Sequence, residues 1–240
     1  MDYKEHRLTI GYTYYEEPEL LTEQISLWEK YPADIEIIVV DDGSSVFPAS
    51  DILKNISILP NLKLYKVNED LGFNSHGCRN LIASVASSDN ILFLDIDCQF
   101  YPNEIAYLKT VKYNKDSFYR FGSYSLVSYR YSKTGHVNVF IVNKNTFWEV
   151  GGYDESFTGW HYGDREFLNR LSAVTDERSL APLSCVIVRG KREIILDETV
   201  ERTEYDNYAH TLTIPKKEKK YSEMQGTVTT KINFSYTQVL

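Results

Sequence analysis

Carboxylates that follow directly on apolar runs are the first candidates for chemistry in this chain. Asp95-Ile96-Asp97 comes after Ile91–Leu94, and Asp41-Asp42 ends the β-branched run from Asp34 to Val40, just before Gly43-Ser44-Ser45. Residues i and i+2 of an extended segment share a side. Asp95 and Asp97 can therefore meet one hard divalent cation, and Mg2+ or Mn2+ commonly joins protein carboxylates to substrate phosphates. The spacing alone is weak evidence, since 15 aspartates among 240 residues give about one such pair by chance. Position after a buried strand raises the pair above a solvated turn or a helix cap. Cys98 next door offers a soft sulfur, which suits phosphate-metal chemistry less well than oxygen does. Asp41 and Asp42 stand where they can accept hydrogen bonds from a base N–H or from ribose hydroxyls, or else close an Asx turn with Gly43. Gly72 and Gly77 allow close backbone approach to a ligand, while Arg79 supplies a guanidinium for a phosphate or, equally, a surface helix cation.

The elements that must position these groups are legible from periodicity. Leu8–Thr13, Asp34–Val40, Leu62–Val67 and Ile91–Leu94 read as strands, the second almost continuously apolar, as in a parallel strand covered on both faces. Pro18 opens a helix with Leu20, Leu21, Ile25 and Trp28 on one face, and Asn74 or Ser75 caps another with Leu81, Ile82 and Val85. Strands alternating with helices at this spacing predict an α/β fold, a Rossmann-like, mostly parallel sheet flanked by helices, with ligands at the carboxyl ends of its strands. Beyond residue 110 a strand is expected over His136–Val142, a helix over Thr146–Val150 stopped by Gly151-Gly152, and a further helix over Asp164–Ala173. The chain then turns polar, with Arg189, Lys191 and Arg192 close together and a lysine-rich run at 216–220. The expected organisation is one domain over 1–210 and a C-terminal extension over 211–240 that lacks a core face.

Composition narrows the class. There are 26 basic against 34 acidic side chains, a net charge of −8, which argues against nucleic acid as a partner, because polyanion footprints need a basic surplus. The longest apolar run, Ile37–Val40, falls far short of the roughly 20 residues of a membrane span. The opening MDYKEHR is too polar for a signal peptide, and three scattered cysteines without a CxxC pair suit a reducing compartment. A cytoplasmic location without a transmembrane segment is the expectation. The 19 tyrosines suit mixed cores and sugar-facing clefts alike.

The order IEIIVVDDGSS, NEDLGFNSHGCRN, ILFLDID resembles the family 2 glycosyltransferases of the GT-A fold. The opening TYYEEPELL is similar to that family's first strand-to-helix turn, with Tyr15 where Asn is usual. The resemblance implies that residues 1–100 form a nucleotide-binding half and 101–188 an acceptor-binding half. It implies donor contacts from Thr13, Tyr15, Asp41, Asp42, Gly72, Arg79 and Asp95, and a Mn2+ or Mg2+ ion on Asp95 and Asp97. The stretch GGYDESFTGWHYGDREFLNRL, residues 151–171, resembles the acceptor-side motif GGxDE…W-G-x-E-D of galactosyltransferase-like members. By position Trp160, His161 and Tyr162 then face the acceptor and Asp164 is the catalytic base. Two departures matter: Gly163 replaces the expected Glu, which commonly holds acceptor hydroxyls, and His161 replaces a Gly. The His that often completes the metal site has no counterpart in CVIVRGKRE, leaving His210 or water.

This division of labour makes chemical sense. Attack by a sugar hydroxyl on an anomeric carbon needs a carboxylate to take the proton, and the departing diphosphate needs a cation. The alternatives for Trp160 and Asp164 are a core aromatic and a helix N-terminal charge. The expected function is a metal-dependent inverting glycosyltransferase moving sugar from a nucleotide-diphosphate donor, a UDP-sugar by resemblance, to a glycan or other hydroxyl acceptor. One rival is a nucleotidyltransferase, which usually needs a Gly- and Lys/Arg-rich loop after the first strand, and GYTYYEEP has none. The other is a catalytically silent sugar-binding module.

Overall fold

The computed structural model describes residues 8–54, 59, 61–157, 162–188, 216, 219–220 and 232–240. Strand and helix alternate at first: β1 (Leu8–Tyr14), α1 (Pro18–Trp28), β2 (Ile35–Asp41), α2 (Ala49–Leu53), β3 (Leu62–Val67), α3 (Ser75–Val85) and β4 (Asn90–Asp95). The second half continues with β5 (Cys98–Gln99), α4 (Pro102–Leu108), β6 (Ser117–Ser125), β7 (Arg130–Ser132), β8 (Phe140–Asn143) and α5 (Lys144–Glu149). A 3-10 turn (Glu155–Phe157), α6 (Gly163–Ser172), β9 (Asp176–Ile187) and β10 (Tyr236–Gln238) complete the described elements.

All these strands join one sheet in the order β10-β3-β2-β1-β4-β8-β6-β9-β5, with β7 on β6. β3, β2, β1 and β4 run parallel, as the near-continuous apolar strands predict. β8 reverses against β4, and beyond it the sheet is mixed. The pleat divides β2 between two cores: Ile37 and Val39 pack with Leu20, Leu21, Ile25 and Trp28 of α1 on one face. Ile38 and Val40 pack with Leu81 and Ile82 of α3, Phe93, Phe140, Phe147 and Phe167 on the other. The sheet is thus helix-covered on both sides, as expected of a doubly wound α/β chain.

Local signals locate several helix ends. Pro18 stands in the first turn of α1, where a missing N–H is harmless. The Asn143 side chain caps α5 by accepting from the Asn145 N–H. The expected strand over His136–Val142 begins only at Phe140. The Arg120 guanidinium donates to the carbonyls of Thr134 and His136, which holds the preceding stretch as a loop. β6 and β9 carry no strong apolar alternation and form through pairing with each other. Residues 232–240, inside the expected extension, dock on the sheet through β10, antiparallel to β3. Phe234 presses against α3 so closely that a Cβ on Gly77 would come within 2.5 Å of its ring.

Candidate active site

Asp95 ends β4 and lies in register beside Thr13 at the end of β1, so the pairing of two parallel strands fixes its position. Its Oδ1 accepts from the Arg79 guanidinium and, at 3.3 Å, from Thr13 Oγ1. Its Oδ2 accepts from Asn138 Nδ2 at 2.8 Å and lies 3.8 Å from His136 Nδ1. Arg79 is only 1% exposed, which removes the surface-cation alternative, and it also stands 3.5 Å from Asp164 Oδ1. Burial opposes its charge, but Asp95, the Tyr153 hydroxyl and Asp164 outweigh that and raise the guanidinium above its ordinary value. It is a permanent cation between the strand-end carboxylate and the helix-start carboxylate.

Asp164 lies in the first turn of α6, with His76 Nε2 3.3 Å from Oδ1. Burial favours its neutral form, but the contact and charge of His76, then Arg79 and His136, prevail and bring its pKa down to about 2. Asp164 is therefore ionised at any working pH.

Asp41 and Asp42 sit differently. Asp41 accepts from the backbone N–H groups of Ser44 and Ala49, each at 2.8 Å, so it closes the turn and caps α2. Asp42 Oδ2 accepts from the Asn74 N–H at 2.7 Å and ties the β2 end to the start of α3. Burial raises both carboxyls, Asp42 strongly, against those hydrogen bonds. Tyr15 and Gly72 meet at Asp70: the Tyr15 hydroxyl donates to Oδ2 at 3.1 Å and the Gly72 N–H to Oδ1 at 2.9 Å. Trp160, His161, the Arg189–Arg192 cluster and His210 lie outside the described residues. Tyr162 is described and half-buried, and precedes α6 with φ 66°, a left-handed conformation that non-glycine residues rarely adopt.

Several participants were not singled out from the sequence. His76 is three residues before Arg79 on α3, and i, i+3 spacing on one helix face was the available signal. His136 and Asn138 stand two apart in the turn before β8, where the Asn138 N–H donates to His136 Nδ1 at 3.4 Å, and both reach Asp95. Glu16, also left-handed at φ 52°, accepts backbone N–H groups of Ser45, Val46 and Phe47 and ties the β1 loop to the β2 loop. Nothing local announced that role.

Among the described residues no group of three or more side chains is preassembled around a cation. The donor set nonetheless suits one. Asp95 and Asp164 meet the single permanent positive charge of Arg79, and Asp97, two residues past Asp95 in the turn between β4 and β5, offers a further carboxylate. Such a surplus fits a hard dication shared with an anionic ligand.

The sequence pattern of the glycosyltransferase-like family 2 matches residues 8–117 and 121–197. The chain belongs to that family. Comparison with curated proteins finds no match. Among solved structures, this family 2 chain is similar to a mannosyltransferase from Pyrobaculum calidifontis in complex with GDP-Man and Mn2+, at 14% identity and TM-score 0.61, covering 78% of this chain and 58% of that one. It is similar to residues 1–349 of S. aureus TarS, at 14% identity and TM-score 0.63, covering 90% and 70%. GalNAc-T7 with UDP, GalNAc and Mn2+ matches at 12% identity and TM-score 0.57, over 76% of this chain and 44% of its own. At these identities the likeness is one of fold, and the GT-A architecture is the shared one.

Proposed function

We propose that this family 2 chain is an inverting, metal-dependent glycosyltransferase that moves a sugar from a UDP-sugar donor to a hydroxyl of a glycan or similar acceptor. The observation that carries the reading is Arg79, one buried guanidinium that contacts both Asp95 and Asp164. The two carboxylates assigned to the donor side and the acceptor side are thereby within one side chain's reach. The catalytic unit is 1–210, with a nucleotide half over 1–100 and an acceptor half over 101–188.

Each group then has a task. Tyr15, Asp70, Gly72 and the Asp41–Asp42 turn frame the nucleoside, with Asp41 acting through the backbone it fixes. Thr13 and Arg79 hold Asp95 at the diphosphate end. Asp95 and Asp97 would hold Mn2+ or Mg2+, which when bound neutralises charge developing on the departing diphosphate. Trp160, His161 and Tyr162 are assigned to the acceptor. Asp164 takes the acceptor proton: the acceptor O–H bond breaks as its oxygen joins the anomeric carbon, and the bond to the diphosphate breaks with its electron pair. A carboxylate held near pKa 2 is a weak base at rest. It accepts the proton late, once bond formation has made the hydroxyl acidic.

No helix among the described residues is long and apolar enough to cross a membrane. The three cysteines are free and buried, which supports a reducing, cytoplasmic setting. The test is calorimetry with UDP-sugars with and without Mn2+, followed by NMR of the transfer product. A β-linkage from an α-linked donor is expected, whereas α-retention or attack at phosphorus overturns the reading.

A further inference from the structure

His76 and Gly163 interlock. A Cβ on Gly163 would stand 2.4 Å from His76 Cε1 and 2.7 Å from Nε2, so the imidazole fills the space that any side chain at 163 would claim. The ring is 2% exposed and stacks on Tyr153, with centroids 5.0 Å apart and planes 27° apart. Among the described residues neither ring nitrogen makes a hydrogen bond of good geometry. Nε2 nevertheless lies 3.3 Å from Asp164 Oδ1. Burying an imidazole without full hydrogen bonding is destabilising. An aliphatic side chain on this face of α3 would avoid that penalty, so the histidine points to a use in the site.

We propose that His76 is the positioning residue of Asp164, holding its carboxylate through Oδ1 so that Oδ2 is left for the acceptor hydroxyl. The inference rests on the glycosyltransferase reading and deepens it. Gly163 is the residue that admits the ring, which gives the departure from the acceptor-side motif a physical reason: the imidazole from α3 occupies the room beside Asp164. The other groups facing the pair are Arg79 from α3, His136 from the loop before β8, Tyr153 before the 3-10 turn, and Asp95 at the end of β4. A ring wedged in place keeps the carboxylate aimed, so its loss costs turnover and not donor binding.

The experiment has two arms. In the first, kcat and donor KM are compared for the parent, His76→Ala and His76→Gln. His76→Ala is expected to lower kcat roughly 10- to 100-fold, the scale of a mispositioned reacting group, with donor KM within about twofold. His76→Gln, which keeps a hydrogen-bond donor, recovers much of kcat, and it carries the same readouts if His76→Ala fails to fold. Parent-like kcat in both variants, or loss of donor binding in step with kcat, overturns the proposal. In the second arm, the His76 ring resonances are followed by NMR in the ligand-free chain and in Asp164→Asn. Loss of the carboxylate partner should move those resonances, and unmoved resonances overturn the pairing. A parent chain that transfers no sugar overturns the glycosyltransferase reading, while the NMR arm still decides the pair.

Discussion

Two regions around the site hold their carboxylates by different means. At the ends of β1 and β2, Asp41, Asp42 and Glu16 bind backbone N–H groups of neighbouring loops, so these acids are part of the framework there. At the start of α6, the described partners of Asp164 are side chains: His76 and Arg79 reach it from α3. Asp95 stands at the seam and combines both styles, fixed by strand register and by Arg79, Thr13 and Asn138. The difference teaches that acids satisfied by backbone are bound up with stability. Acids satisfied by other side chains are available to chemistry.

Substitutions can break or sharpen that contrast. The largest effect is expected at Asp164: Asp164→Asn should lower transfer by roughly 10²–10⁴-fold, the usual worth of a positioned general base, with donor affinity little changed. Wild-type turnover in that variant would leave Asp154, Glu155 or Glu166 as the next carboxylates to test. At the seam, Asp97→Asn should remove the Mn2+-dependent part of UDP-sugar binding in calorimetry, and unchanged affinity with the metal would sink the cation assignment. On the nucleotide side, Asp41→Ala should act first on stability. It strands two buried N–H groups, at about 1–3 kcal/mol each, read as a fall in denaturant midpoint with weaker UDP binding as a consequence. An Asp41→Ala chain as stable as its parent breaks the contrast outright.

The smallest effect concerns acid. Asp164 has a folded pKa of about 2, below the ordinary carboxylate value near 4. Its contribution to stability is therefore complete above about pH 4 and lost as pH falls through about 2. Acid titration of the Asp164→Asn variant should lack that component, so the two chains should converge in stability at the acid end.

The N-terminal half was largely legible because its signals are local. Apolar runs such as Ile37–Val40 mark a parallel strand whatever surrounds them, and the acids that follow must emerge at its end. Pro18 and the Leu20, Leu21, Ile25, Trp28 stripe declare α1 in the same way. The C-terminal half depends on distant partners. β9 is polar and largely exposed, and it exists through its pairing with β6 some 60 residues earlier in the chain. The docking of residues 232–240 onto β3 was equally hidden, since Phe234 finds its place only against Gly77 of α3. His76 was overlooked because a histidine in a helix has no meaning until Asp164, 88 positions along, is brought to it.

The sheet also finishes in an unusual way. At one end stands β10, three residues long, and at the other β5, only two. A long unpaired margin is a template on which another molecule's backbone can add hydrogen bonds, the first step toward fibrils and precipitates. By covering β3 with such a short outer strand, the protein leaves little of that margin for a stranger to extend. Removing residues 236–238 would uncover β3, and the resulting chain should cloud on concentration before it loses its fold.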